Sequence, residues 1–461
     1  MEGEFFVVLP EGKIEELKEY HFDMYPYLRE IYEDELKIQK VRGESAHIKL
    51  MKKYHIAMPE PVSDAGCLSY LPNGAFLVEM LRRLAWEEVV EKLGAYPIIT
   101  PAIIQEDLKE VKWLIEHFPE RHYRILPGKE EKEKKLFLKT AGDYGSFSLH
   151  RYSRPSYRDL PYALFEFETD YRYEQRGEIR GMHRLREFRM INVHTLCKDE
   201  KEAWQFFWKI FNALINVLKR FKVDLDTFAI YGEKEFVEKY KEDLIKFAKE
   251  HGKPIFMRLM EKGKLYMTIW IDGIVFDSVG HPMEIVTTQF DPRSAKEWDI
   301  IYYDEEGKEK YPYIIHAGIG VDRTIAALLE LMARKKKKVF PIEISPIQVR
   351  LMPISEKYNE YAYELAKKMK EYGIRVDVDD RAKRLEKKIA IAERYFIPLI
   401  AVIGKEEVEK GTLKIRDLEK REVKEYKVEE FIELLKRKIK DYPLLRGFGK
   451  LSLETKPSNI W

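Results

Sequence analysis

Arg172, Arg176, Arg180, Arg184 and Arg186 stand within fifteen residues of one another. A guanidinium is a planar fork of N–H donors that pairs bidentately with phosphate oxygens, so this density of arginine suits a polyanionic guest. The surrounding stretch reads Glu168-Thr-Asp-Tyr-Arg-Tyr-Glu-Gln-Arg-Gly-Glu-Ile-Arg-Gly-Met-His-Arg-Leu-Arg-Glu-Phe-Arg-Met-Ile-Asn-Val-His194. Gly177 and Gly181 break strand-like sequence on either side, which predicts strand, exposed loop, strand. Alternation along Arg-Leu-Arg-Glu-Phe places Arg184, Arg186 and Phe188 on one strand face, a surface able to hold phosphates beside a stacked ring. A solvated basic hairpin with an ordinary core Phe fits the same charges. Further on, His316-Ala-Gly-Ile-Gly-Val-Asp-Arg323 leads into Thr-Ile-Ala-Ala-Leu-Leu-Glu. It reads as a glycine-rich strand end that lets a ligand approach the backbone, an arginine, and an apolar helix.

The elements that must position these residues are legible in outline. From Gly74 a helical stripe of Leu77, Met80, Leu81, Leu84 and Ala85 runs toward Gly94, followed by an extended segment punctuated by Pro97 and Pro101. Trp204, Phe207, Trp208, Phe211, Leu214, Ile215, Leu218 and Phe221 recur at helical spacing, and a face that broad is core rather than a cofactor box. Short β-rich runs between 226 and 315 predict an antiparallel sheet. Beyond Pro341 the style changes to strand 348–353, a helix to about 371, strand 374–378, helix 381–396, strand 399–404 and a helix near 428–440. That βαβαβ alternation predicts a second, α/β domain.

Composition sets the bounds. The 461 residues suffice for two or three domains with substantial cores. Basic and acidic residues nearly cancel, 82 against 80, so nucleic-acid contact must come from local patches such as Arg334-Lys-Lys-Lys-Lys338 rather than from overall charge. Cys67 and Cys197 are the two cysteines, with no Cys-x-x-Cys, which excludes a disulfide framework and fits a reducing cytoplasm. No apolar run approaches the length of a membrane span, and the start lacks a signal-like pattern, so a cytoplasmic protein with no membrane partner is expected.

Tyr171-Arg172-Tyr173-Glu174 with Gly-Glu-Ile-Arg-Gly-Met-His-Arg-Leu-Arg-Glu-Phe188 resembles motif 2 of class II aminoacyl-tRNA synthetases, in the form of the archaeal-type threonyl enzymes. The helix and Pro-bearing strand resemble motif 1, which forms a dimer interface in that family, and His316 to Arg323 resembles motif 3. The segment Asp379-Asp-Arg-Ala-Lys-Arg-Leu sits where the anticodon-binding domain of the threonyl, prolyl, histidyl and glycyl enzymes carries its own. The resemblance implies an α+β catalytic domain with an antiparallel sheet over 46–338, after a leader of 1–45, and an anticodon-binding domain over 339–461. It leaves no room for the N-terminal editing domain of the archaeal-type enzymes. It also implies roles. Arg172 would hold the ATP α-phosphate and the reacting carboxylate, Glu174 the adenine amino group, Arg184 the outer phosphates, Phe188 the adenine face, and Arg323 the γ-phosphate. Magnesium would share the phosphate charge, and Gln289 would lie on the amino-acid side.

The match departs at the residues that select the substrate. The family holds zinc with Cys, His and His, and an Asp bonds the threonine hydroxyl. This chain has Asp143 at the first position, His194 at the second and Asn192 at the hydroxyl-binding position. An ungapped alignment puts Ile314 at the third, whereas a two-residue gap offers His316. Asp, His and His can ligate zinc, which would then bind the substrate amino and hydroxyl groups; the alternative is that Asp143 and His194 are satisfied polar core groups. The expected activity is ATP-dependent attachment of threonine to its tRNA by a homodimer, with proofreading left to a separate protein. The alternatives are a class II paralogue for another small amino acid and a non-catalytic tRNA-binding derivative.

Overall fold

The computed structural model describes residues 4–18, 20, 22–38, 43–116, 121–126, 135–335 and 339–445. The chain packs as two compact units, one of 1–48, 59–68 and 85–330, the other of 49–58, 69–84 and 331–461.

The first unit is built on a ten-stranded sheet. Its order runs Ile14–Glu16, Glu4–Val8, Ile255–Met260, Thr227–Glu233, Ile269–Phe276, Pro282–Asp291, Tyr313–Gly320, Glu187–Cys197, Tyr162–Tyr171 and Tyr96–Pro97. All neighbours pair antiparallel except Thr227–Glu233 with Ile255–Met260 and Tyr96–Pro97 with Tyr162–Tyr171, as the β-rich runs predicted. The apolar helix appears as Glu200–Arg220. Asp199 caps it by accepting from the Glu202 amide at 2.8 Å, and Lys219 and Arg220 close the negative end of its dipole. Its stripe of Trp204, Phe207, Phe211, Leu214 and Leu218 is buried, and the helix packs on Pro282–Asp291, Tyr313–Gly320 and Glu187–Cys197. The central strands are thereby held flat against a rigid support while their opposite faces remain for the site.

The second unit is a five-stranded sheet ordered Val376–Val378, Val349–Pro353, Leu399–Ile403, Thr412–Asp417 and Glu422–Lys427, the first three parallel and the last two added antiparallel. The hairpin Thr412–Lys427 escapes a reading by pattern because its strands, TLKIRD and EVKEYK, carry charges on an exposed edge.

Two expectations need correction. The predicted helix over 381–396 begins only at Leu385, because the stretch before it binds its own backbone and side chains: Arg381 pairs with Asp379, its guanidinium Nε donating to the carboxylate at 2.7 Å. The motif-1 helix spans Pro72–Ala85 and continues as a π-helix over Trp86–Glu91. Its first part packs with the C-terminal unit, not with the 46–338 body assigned from sequence. Within that unit Phe76 lies under the Arg375 guanidinium and Tyr54 packs on Phe396. The expected boundary at 338 falls on Lys336–Lys338, outside the described residues, as does most of the lysine run. The described residues of 1–45 contribute two strands and a helix, Pro26–Glu35, to the first unit; Glu4–Val8 pairs along Ile255–Met260.

Candidate active site

Two overlapping cavities of about 480 and 590 Å³ open on the face of the sheet made by Tyr162–Tyr171, Glu187–Cys197, Tyr313–Gly320 and Pro282–Asp291. Arg172, Glu174, Arg184 and Arg323 line both or adjoin them, Phe188 lines the larger, and Asp143, Asn192, His194 and His316 line the smaller, with Gln289 in both. The residues to which the resemblance gave roles are therefore brought to one place, while Arg176, Arg180 and Arg186 line neither cavity.

The strand pair predicted around Gly177 and Gly181 is Tyr162–Tyr171 with Glu187–Cys197, in register Phe188 opposite Asp170 and Asn192 opposite Glu166. Pairing continues one residue past the strand, where the Arg172 amide donates to the Arg186 carbonyl at 2.9 Å. The Arg172 guanidinium donates through Nε to the Thr140 carbonyl at 3.0 Å and lies 5.1 Å over the Phe188 ring. Burial is the first cause that lowers its pKa, and the Arg323 charge adds to it. Two guanidiniums facing one cavity repel until an anion arrives, which is the electrostatic signature of a phosphate site.

The shared face of Arg184, Arg186 and Phe188 does not form. The strand begins at Glu187, so both arginines lie in the preceding loop. Arg184 reaches the cavity and donates to Glu174 at 2.9 Å, with Arg121 on the same carboxylate. Arg186 turns away: its Nε and Nη2 donate to the Glu174 carbonyl at 2.9 and 2.7 Å and its Nη1 to Asp64 at 2.8 Å. It braces the loop that carries Glu174 rather than meeting a ligand.

Arg323 stands in the first turn of the helix Val321–Arg334. It donates to the carbonyls of His183 and Glu284 at 2.9 and 3.0 Å and to the Glu284 carboxylate at 2.8 Å. Just before it, Gly318 is needed for space, since a Cβ there would lie 2.7 Å from the Asn192 side-chain oxygen.

The three metal-binding candidates form one buried group. A ligand atom from each of Asp143, His194 and His316 lies within 4.8 Å of the others. Asp143 opens the helix Asp143–Ser153, and His194 and His316 face each other directly in register on adjacent strands. Ile314 sits opposite Leu196 instead and is not one of the three clustered residues. The Asp143 carboxylate is 3.0 Å from His316 Nδ1 and 3.9 Å from His194 Nε2. The remaining imidazole nitrogens are engaged behind: His194 Nδ1 with the Ser146 hydroxyl at 2.9 Å and His316 Nε2 with the Asp291 carboxylate at 2.9 Å. Second-layer bonds of that kind fix ring orientation in metal sites. Burial alone would raise the Asp143 carboxyl, but the His316 bond and the neighbouring imidazole charges hold it at about 2. Burial would likewise lower His316, yet its bonds to Asp143 and Asp291 raise it to about 9. Burial dominates at His194, which falls to about 4.

Sequence reasoning missed the acids beneath the site. Glu166, Glu168 and Asp170 alternate on the strand Tyr162–Tyr171 and are all buried. Lys139 sits between Glu166 and Glu168, and Glu168 also accepts from the Asn192 amide, leaving the Asn192 oxygen as an acceptor. Burial and then Glu168 push the Asp170 carboxyl well above its usual range. The signal was available as three acids at a period of two within an otherwise apolar strand.

An antiparallel sheet with two arginines on one cavity, together with a second, α/β unit in the same chain, defines a class II tRNA synthetase core with an anticodon-binding domain. Residues 123–332 match the tRNA synthetase class II core domain (G, H, P, S and T), and 348–438 match the anticodon binding domain. The chain belongs to the threonine–tRNA ligase family. It is 34% identical over 449 residues to the threonine–tRNA ligase of Pyrococcus horikoshii, covering 95% of this chain and 71% of the relative. To that of Thermofilum pendens it is 32% identical over 452 residues, covering 96% and 73%. Among solved structures, the RNA binding domain of threonyl-tRNA synthetase from Cryptosporidium parvum superposes with TM-score 0.73 at 22% identity, covering 88% of this chain and 99% of that one. Giardia lamblia prolyl-tRNA synthetase in complex with prolyl-adenylate gives 0.69 at 17%, covering 87% and 82%; at these identities the likeness concerns the fold. No described helix is long and apolar enough to cross a membrane.

Proposed function

We propose that this chain activates threonine with ATP and transfers it to its tRNA. The observation that carries the reading is the convergence of Arg172, Glu174, Arg184, Phe188 and Arg323 on cavities continuous with the Asp143, His194 and His316 group. The threonine carboxylate attacks the ATP α-phosphorus and pyrophosphate leaves. No protein nucleophile is required, so the chain contributes positioning and neutralisation of developing charge. Arg172 bridges the reacting carboxylate and α-phosphate, and its Nε bond to Thr140 leaves the outer nitrogens for that task. Phe188 receives the adenine face, Glu174 its amino group, Arg184 and Arg323 the outer phosphates, with magnesium as counter-charge. A terminal ribose hydroxyl of tRNA then attacks the acyl carbon and AMP leaves, while the 348–438 domain holds the tRNA.

The residues fit zinc: a carboxylate and two imidazoles, all buried, whose second nitrogens are already engaged. Bound zinc at Asp143, His194 and His316 would supply a Lewis acid for the substrate hydroxyl, which valine lacks. Asn192 offers its carbonyl oxygen beside that group without adding charge, so serine is rejected poorly and proofreading falls to a separate protein. A homodimer is part of the same reading. It is supported by Tyr96, Ile99 and Ile103, which are exposed at the edge strand Tyr96–Pro97 and just beyond it. A cytoplasmic location is supported by the two unpaired, buried cysteines. The test is charging of total tRNA with labelled threonine: acid-stable, base-labile label on tRNA is expected, and its absence with active ATP exchange would restrict the chain to activation.

A further inference from the structure

Of the three alternating acids on the strand Tyr162–Tyr171, two are matched. Glu166 accepts from the Thr100 amide and hydroxyl at 2.5 and 3.0 Å, and Glu168 from Lys139 and Asn192. Asp170 is left over. It is 1% exposed, it lines the smaller cavity, and its Oδ1 meets no hydrogen-bond donor among the described residues. Lys139 lies between the other two carboxylates, and Arg172 is committed to the reacting carboxylate and phosphate in the reading above. The Arg172 and Lys139 charges act on it only through space, so a buried carboxylate with an unbonded oxygen keeps a cost that a ligand N–H donor would relieve. The metal group does not include it, because its three ligands are Asp143, His194 and His316.

Its place selects the ligand. Arg172 continues the alternation, since its amide still pairs with the Arg186 carbonyl, so Asp170 and Arg172 project from the same face. Residues two apart on a strand are separated by about 6.6 Å. An α-amino acid carries its nitrogen and its carboxylate on one carbon, and a hydrogen bond of about 2.9 Å at each end lets the zwitterion bridge such a gap. The order of charges along the strand, acid then guanidinium, mirrors the ammonium and carboxylate of the substrate. We propose that Asp170 is a substrate-binding residue whose carboxylate accepts an N–H of the amino acid's α-nitrogen while Arg172 holds its carboxylate. This rests on the activation reading. An N–H remains to be donated whether the nitrogen is a free ammonium or a metal-bound amine. The pocket then reads the main-chain zwitterion on the strand Tyr162–Tyr171 and the side-chain hydroxyl at Asn192 and the metal group.

The test compares threonine with 3-hydroxybutyrate, the same molecule without its amino group, in ATP–pyrophosphate exchange by the full chain. In the native protein 3-hydroxybutyrate should inhibit at least about 100-fold more weakly than threonine binds. In Asp170→Asn and Asp170→Ser the threonine KM should rise about 10–100-fold, the size of a lost charge-assisted bond. The ATP KM and the 3-hydroxybutyrate Ki should move less than about 3-fold, which a merely structural role for Asp170 would not produce. Equal binding of both compounds by the native protein overturns the proposal even if neither variant folds. So does a parallel rise of threonine KM and 3-hydroxybutyrate Ki, or no change in either. If the native chain activates a different amino acid, the functional reading fails separately, and that amino acid with its own amine-free analogue still tests Asp170.

Discussion

Arg172→Ala separates the catalytic account from a structural one. In the unliganded protein this guanidinium makes one hydrogen bond, to the Thr140 carbonyl, and one cation–π contact, with Phe188. The bond is worth about 1 kcal/mol and the contact about 0.5–1 kcal/mol. Removing the side chain loses the attraction to Asp170, its largest charged neighbour, and relieves the repulsion from Arg323, so these two contributions oppose each other. Stability should therefore fall by no more than about 1–2 kcal/mol, a Tm change of a few degrees for a unit of this size. Activation should fall much further. A preorganised donor at developing oxyanion charge is worth about 2.7–4 kcal/mol, so threonine-dependent ATP–pyrophosphate exchange should drop by about 10²–10³-fold. Thermal unfolding and exchange on the same preparation give both numbers. Near-native exchange would refute the assignment of ATP to this sheet, and a collapse of Tm alongside the activity would make Arg172 a structural residue instead.

Arg323→Ala should also cut exchange by at least about 100-fold with a modest Tm change, since the proposed reading sets it on the far end of the same triphosphate. Asp291→Asn should lower zinc affinity about 10–100-fold, read by metal competition and elemental analysis, because Asp291 orients His316 from behind; unchanged affinity would remove His316 from the metal set. The Asp272 carboxyl is pushed up to about 7, first by burial and then by Glu284. Its folded pKa lies above the unfolded value, so the native state holds the extra proton and stability falls as pH rises from about 4 to 7. Asp272→Asn should accordingly raise the Tm of ligand-free protein at pH 8 and leave it near native at pH 4; the opposite pH trend would contradict the burial argument. Asp199→Ala removes the cap of the helix Glu200–Arg220 and should cost about 1 kcal/mol in thermal unfolding, with exchange unaffected.

The site was legible where chemistry and alternation coincide, and illegible where register decides. Arg172, Phe188 and Arg323 could be named because the contiguous stretches that carry them resemble family motifs, with the residue chemistry only compatible with that reading. His316 and Ile314 share one strand face, so periodicity cannot choose between them; only the pairing of His316 with His194 does. Arg186 was misplaced for a related reason, since the alternation suggests a strand from Arg184 but the strand starts at Glu187, and the side chain turns to Asp64 and Glu174. Asp291 lies 25 residues from His316 and Ser146 48 residues from His194, and nothing local announces that they brace the imidazoles of the metal group. The strand Glu4–Val8 went unread because five residues carry too little period to stand out from a tyrosine-rich, charged surround. The helix Pro72–Ala85 was read correctly as a helix and assigned to the wrong unit, because amphipathicity reports that a face is buried and not against what.

The most direct test of the central claim is the profile of ATP–pyrophosphate exchange by the native chain with each standard amino acid, with and without a zinc chelator. Exchange that depends on threonine, with serine the next best substrate, valine far weaker, and loss of threonine exchange on chelation, is the expected result. Exchange driven by an amino acid without a side-chain hydroxyl, or no exchange at all from folded protein, would contradict it.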